Sequence, residues 1–247
     1  MPRISRKEYK EYQVFHIMVQ GINKSSIFDK EREKNEYIKL MRNNKSEYKI
    51  TIIAYCIMNN HAHILLKTSS IENLTKYMHK LNTSYGIYYN KNNERVGFVY
   101  RNRFESQAIM DINYLYNCIL YIHNNPVNAG LCELAYNYKF SSYLSFIKQN
   151  RKIFNRLFNN ELEYENAHKN RKTELFFIEY EDDRDREIIK DINNYLDARK
   201  RNIIEFKVDN TLLIPIASRL KHVYQLSNVK IAKYLGVSRE KIRRIIN

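Results

Sequence analysis

The order in which hydrophobic periodicity changes along the chain constrains its fold more than any other feature. Between Val14 and Gln20 the side chains alternate, Phe15, Ile17 and Val19 on one face and His16, Met18 and Gln20 on the other, as a strand requires. Gly21 ends that run. From Asp29 to about Asn44 the chain is charged, with Tyr37, Leu40 and Met41 at helical spacing, which predicts a helix covering a sheet. Tyr48 to Met58 and Ala62 to Leu66 are β-branched and apolar runs broken at Asn59-Asn60, and they read as two paired strands around a tight reversal. Leu74, Tyr77, Met78, Leu81, Tyr85 and Tyr88 then mark a longer amphipathic helix between Ile71 and Tyr89, closed by a turn-rich patch from Asn90 to Gly97. Phe104 to Met110 fits another strand. Asp111 is a good N-cap for a helix to about His123, which Pro126 and Gly130 are expected to stop.

Strand, helix, strand, strand, helix, strand, helix is the order of an α+β domain built on an antiparallel, ferredoxin-like sheet. This predicts a first domain over residues 1–147. Residues 148–180 show no clean period and read as a connecting segment, in which Phe154, Leu157 and Phe158 can pack as one turn of helix. A helical domain over 181–247 follows, with one helix marked by Ile188, Ile189, Ile192, Tyr195 and Leu196 and a small helical unit from Pro215 onward.

At 247 residues the chain accommodates a core domain and an appendage, and 44% hydrophobic against 28% charged residues is the balance of a folded protein. No apolar run approaches the roughly 18 residues of a membrane span, and no signal peptide is read before Tyr9, so a cytoplasmic location is expected. The three cysteines, Cys56, Cys118 and Cys132, match no zinc spacing and no disulfide framework. A formal charge of +15 and a pI near 9.5 fit a polyanionic partner, nucleic acid first, because Lys and Arg release counterions from phosphates. The abundance of Lys, Asn, Ile and Tyr is also what an AT-rich genome produces, so charge alone leaves both readings open.

Two constellations carry chemistry. His61 and His63, one residue apart on a strand, project from the same face and can grip one divalent metal, since imidazole suits such ions. Two surface or core histidines produce the same pattern. Further along, Tyr121 and Asn125 stand four residues apart, which puts a phenol and an amide oxygen on one helical face. Most of the 21 tyrosines are expected to be packing residues.

The string Tyr55-Cys56-Ile57-Met58-Asn59-Asn60-His61-Ala62-His63-Ile64-Leu65-Leu66 is followed by Phe98-Val99-Tyr100-Arg101-Asn102-Arg103-Phe104 and by Tyr121-Ile122-His123-Asn124-Asn125-Pro126-Val127. Together with His16-Ile17-Met18-Val19-Gln20-Gly21 and Ser141-Ser142-Tyr143, these segments resemble, in order and spacing, the REP-associated tyrosine transposases. That group belongs to the single-tyrosine branch of the His-hydrophobic-His (HUH) endonucleases. The resemblance spans about residues 10 to 145. It departs from the family at Asn60, where proline is usual, at Gln20, where arginine is common, and at Asn128, where a basic residue is expected.

The resemblance implies that His61, His63 and Asn125 bind Mg²⁺ or Mn²⁺ and that Tyr121 attacks a phosphodiester of single-stranded DNA near a hairpin, leaving a 5′-phosphotyrosine. His16, on the neighbouring strand, is a possible accessory to Tyr121 or to a phosphate, or a buried, hydrogen-bonded histidine. His123 is expected to turn away from the Tyr121 face. Arg101 and Arg103 are candidates for DNA backbone contacts, with a solvated turn as the alternative. Related transposases often form homodimers, and REP-associated members can act as monomers.

The last twenty residues read as a helix-turn-helix, with Gly236 in the turn, Ser238 as cap, and Ile242 and Ile245 packing on Ile231 and Leu235. Its second helix carries Arg239, Lys241, Arg243 and Arg244, which suit a DNA groove or a hairpin stem. Two rival readings share these residues: a replication-initiator or relaxase-type nickase, and a DNA-binding regulator whose transposase domain is inactive.

Overall fold

The computed structural model describes residues 13–109, 111–169, 183–199, 201 and 203–246. The first residues of the expected transposase segment, Met110, and all of 170–182 lie outside that set. Two compact units divide the chain, one over Arg6–Lys172 and a second that begins at Thr173.

The first unit opens β1 (Val14–Gln20), α1 (Glu31–Asn43), β2 (Thr51–Ile57), β3 (His61–Lys67), α2 (Ile71–Asn92), β4 (Glu105–Ala108), α3 (Ile112–Asn128). The four strands form one antiparallel sheet in the order β2-β3-β1-β4, which is the ferredoxin-like arrangement expected from the order of elements. Register follows the alternation: Phe15 pairs with Leu66, Ile17 with Ile64 and Val19 with Ala62, and all six are buried on the apolar face. Between α1 and α2 the rings of Phe28, Tyr37 and Tyr85 meet at 4.8–5.1 Å, and the Tyr77 hydroxyl donates to the Met41 carbonyl at 2.8 Å. The tyrosines of this layer are therefore packing groups with satisfied hydroxyls.

Helix α3 starts where expected, with the Asp111 carboxylate accepting the Tyr114 N–H at 2.7 Å. It does not stop at His123. It continues through Pro126 to Asn128, because so close to the C-terminus the proline removes one intrahelical bond and leaves the rest intact. The stop is Gly130, at φ +69°, with its N–H on Val127 and the Leu131 N–H on Pro126, a Schellman closure that only a left-handed residue permits.

The expected boundary at residue 147 is displaced. Helices α4 (Tyr143–Gln149), α5 (Arg151–Leu157) and α6 (Glu161–Lys169) are part of the first unit, so 148–169 is packed structure rather than a connection. Their anchor is Tyr164, ringed by Phe146, Phe154 and Phe158 at 5.0–5.9 Å between centroids. Just before α4 the chain adds to the edge of β2: Ile57 N donates to Phe140 O and Ser142 N to Tyr55 O.

In the second unit, α7 (Asp183–Asp197), α8 (Asn210–His222), α9 (Asn228–Leu235) and α10 (Arg239–Ile246) surround a core that includes Ile188, Ile192, Leu213, Ile216, Leu220, Ile231, Leu235 and Ile242. Helix α8 is capped by Asp209 and runs through Pro215, so the unit starts well before that proline. Helices α9 and α10 are joined through Gly236, at φ +63°, and Ser238, whose hydroxyl accepts the Lys241 N–H at 3.1 Å.

Candidate active site

Antiparallel pairing of β1 with β3 sets Met18 opposite His63 and Gln20 opposite His61. His16 is then the diagonal neighbour of His63 on the face away from Phe15 and Ile17, within reach of an imidazole. The two rings stack at 5.1 Å, and His16 Nε2 lies 3.0 Å from His63 Nδ1. His61 and His63 stand edge to face at 4.9 Å.

Helix α3 crosses this face and delivers Tyr121. Its ring meets that of His63 at 5.4 Å and that of His16 at 6.1 Å, both edge-on. Asn125 lies one turn further along α3. His16, His61, His63, Tyr121 and Asn125 are all between 1% and 7% exposed. Five polar side chains buried together are costly unless they serve each other or a ligand, which is the signature of a functional cluster.

The hydrogen bonds bear on which nitrogen each ring presents. Asn60 Oδ1 is 2.6 Å from His61 Nδ1. With the amide oxygen accepting, the proton sits on Nδ1 and the lone pair on Nε2. If His63 Nδ1–H likewise donates to His16 Nε2, its lone pair also lies on Nε2. Imidazole nitrogens and an amide oxygen are donor types that suit a divalent ion. Among the described residues no group of three His, Cys, Asp or Glu side chains is placed to hold a metal ion.

Gly21 holds the end of β1 against the reversal before His61. Its N–H donates to Asn60 O at 2.9 Å, while a Cβ at this position would stand 2.3 Å from the Ser25 carbonyl oxygen, so no other residue fits. The segment bearing the arginines runs along the same end: Ile22 N donates to Val99 O, and Arg101 N to Gln20 O, the register partner of His61. Arg101 is half-buried and Arg103 exposed.

His123 does turn away from Tyr121, and toward α6. The role of α6, and of Asn60, escaped sequence reasoning; only the departure from the family's proline marked Asn60 as unusual. In the second unit Arg239, Arg243 and Arg244 are exposed on α10, Arg244 lying 3.8 Å from Glu240. Lys241 is not on that surface in the way expected. Its ammonium donates to the Phe206 carbonyl at 3.1 Å, so the charge is directed at the unit's own backbone.

The ferredoxin-like sheet thus presents paired histidines on a central strand beneath a helix that carries a tyrosine. Residues 10–125, just under half of the chain, match the family described as "Transposase IS200 like". Among curated proteins, a "Putative REP-associated tyrosine transposase" of Haemophilus influenzae is 26% identical over 150 residues, covering 54% of this chain and 80% of the relative. A solved structure titled "Structure of the REP associates tyrosine transposase bound to a REP hairpin" is 14% identical with a TM-score of 0.46, covering 59% of this chain and 82% of that one.

Proposed function

We propose that this chain cleaves and rejoins single-stranded DNA near hairpins, with Tyr121 as nucleophile. The observation that carries the reading is the edge-on contact of the Tyr121 ring with His63, which brings this tyrosine of α3 to the paired histidines of a domain that matches a transposase family. In the step proposed, the phenol gives up its proton and its oxygen bonds to phosphorus. The bond from phosphorus to the 3′ oxygen breaks, and that oxygen takes up a proton to become a free hydroxyl. The 5′-phosphotyrosine conserves the bond energy, so a second strand's 3′-hydroxyl can reverse the reaction without ATP.

His61, His63 and Asn125 would hold Mg²⁺ or Mn²⁺. When bound, such an ion neutralises charge on the non-bridging phosphate oxygens, which lowers a barrier of this kind by several kcal/mol. Asn60 and His16 serve by fixing the imidazoles. At 3% exposure the Tyr121 phenol is not open to a phosphodiester, so attack requires the side chain or its cover to shift as DNA binds. Arg101 and Arg103 lie beside the His61 end of the sheet for contacts to the DNA backbone, and Arg239, Arg243 and Arg244 on α10 suit a hairpin stem. No helix among the described residues is long and apolar enough to cross a membrane.

A labelled hairpin oligonucleotide incubated with the protein and Mn²⁺ is expected to give a covalent adduct stable to denaturation. Tyr121→Phe is expected to abolish it. An undiminished adduct in that variant contradicts the assignment.

A further inference from the structure

The back of α3, away from Tyr121, is engaged by a buried hydrogen-bonded chain whose far end, Tyr164 and His168 on α6, lies beyond both the family match and the resemblance. His123 Nε2 is 2.9 Å from Ser142 Oγ, and His123 Nδ1 is 3.2 Å from His168 Nε2 on α6. His168 Nδ1 is 2.7 Å from the Tyr164 carbonyl, and Tyr55 N–H donates to Ser142 Oγ at 2.8 Å. His123 and His168 are 0% and 7% exposed.

With neutral rings, a hydrogen bond between His123 and His168 requires one arrangement of protons, in which the Tyr164 hydroxyl, 3.1 Å from His123 Nδ1, donates to the Tyr143 carbonyl at 3.2 Å. A carbonyl oxygen only accepts, so His168 Nδ1 carries the hydrogen and its Nε2 the lone pair. His123 Nδ1 must then be the donor to His168, and its Nε2 accepts from the Ser142 hydroxyl. The bonds run in one direction, from the Tyr55 N–H on β2 through Ser142, His123 and His168 to the Tyr164 carbonyl on α6. Asn124 adds a second tie, its amide donating to the His168 carbonyl at 3.2 Å.

We propose that His168 is a positioning residue which, through His123, fixes the rotation of α3 and thereby the place of Tyr121. The proposal rests on the reading of Tyr121 as nucleophile. With 3.6 residues per turn, His123 lies on the side of the helix roughly opposite Tyr121, so a tie there acts on the phenol as on the far end of a lever. A tyrosine oxygen stands roughly 8 Å from its helix axis, and a turn of about 10° moves it by more than an ångström. Misplacement on that scale costs reactivity rather than binding.

Two measurements test this on the full chain. Nitrogen-15 NMR of the imidazoles is expected to show Nδ1–H neutral tautomers for His123 and His168 at neutral pH; an Nε2–H tautomer or an imidazolium on either ring overturns the proposal. Single-turnover adduct formation at saturating hairpin oligonucleotide is expected to slow about 10- to 100-fold in His168→Leu with Kd unchanged, and to return to within about threefold in His168→Gln, whose amide oxygen can replace Nε2 as acceptor. A His168→Leu protein as fast as the parent, or a His168→Gln protein as slow as His168→Leu, overturns it. Loss of the adduct in Tyr121→Phe alongside full speed in His168→Leu removes this proposal alone, whereas an adduct that survives Tyr121→Phe removes the functional reading as well.

Discussion

His16 Nε2 stands 3.0 Å from His63 Nδ1, a contact created by the diagonal offset of two antiparallel strands. It engages the one nitrogen of His63 that a metal held through Nε2 would not use. His16 thus takes the place that a carboxylate or carbonyl occupies behind many metal-bound histidines, and Asn60 takes it behind His61.

Removing either partner is expected to weaken the ion before it affects the fold. His16→Leu and Asn60→Ala should each lower Mn²⁺ affinity about 10- to 100-fold, measured by calorimetry or electron paramagnetic resonance. Unchanged affinity in both variants would show that these contacts do not orient the ligands.

The buried tyrosines predict how the protein fails in alkali. Burial pushes the Tyr143 hydroxyl up to about 12 and holds those of Tyr37, Tyr77, Tyr85, Tyr138 and Tyr164 well above the ordinary tyrosine value. In the unfolded chain these groups lose their protons near pH 10, while the folded state keeps them. Their contribution is therefore complete below pH 10 and lost as pH rises, each fully protonated buried tyrosine costing about 1.4 kcal/mol per pH unit. Unfolding between roughly pH 10 and 12 should be cooperative, with tyrosinate absorbance rising in step with loss of helical circular dichroism. Ionisation of these six buried tyrosines before helical structure is lost would contradict the packing described.

Much of the first unit was legible in sequence because each strand and helix shows its own period, and the strand order follows from the order of elements. Pairing His61 with His63 needed only the alternation of a strand, and Tyr121 with Asn125 only the helical turn. The end of α3 was misread because Pro126 lies where the helix has few bonds left to lose. Helices α4 to α6 were illegible because α4 and α5 have only seven residues each, too few turns for a period, and their aromatic anchors are spread over all three elements. The partnership of His123 with His168 spans 45 positions, and nothing local announces it.

The basic residues of α10 separate into two kinds. Arg239→Gln and Arg243→Gln should each weaken binding to a hairpin oligonucleotide and lower the dependence of log Kd on log salt by about one. Lys241→Gln should leave that slope unchanged and instead destabilise the C-terminal unit by about 1 kcal/mol, through loss of the bond to Phe206 O. Equal salt slopes for all three variants would place Lys241 back at the DNA surface.

The central claim is that one phenol oxygen carries the cut strand. Proteolysis of the covalent adduct formed with a hairpin oligonucleotide and Mn²⁺, followed by mass spectrometry, locates the attachment directly. The structure predicts a nucleotide 5′-phosphate on the peptide containing Tyr121 and on no other tyrosine peptide. Attachment at a different residue, or a 3′-phosphate linkage at Tyr121, would contradict it.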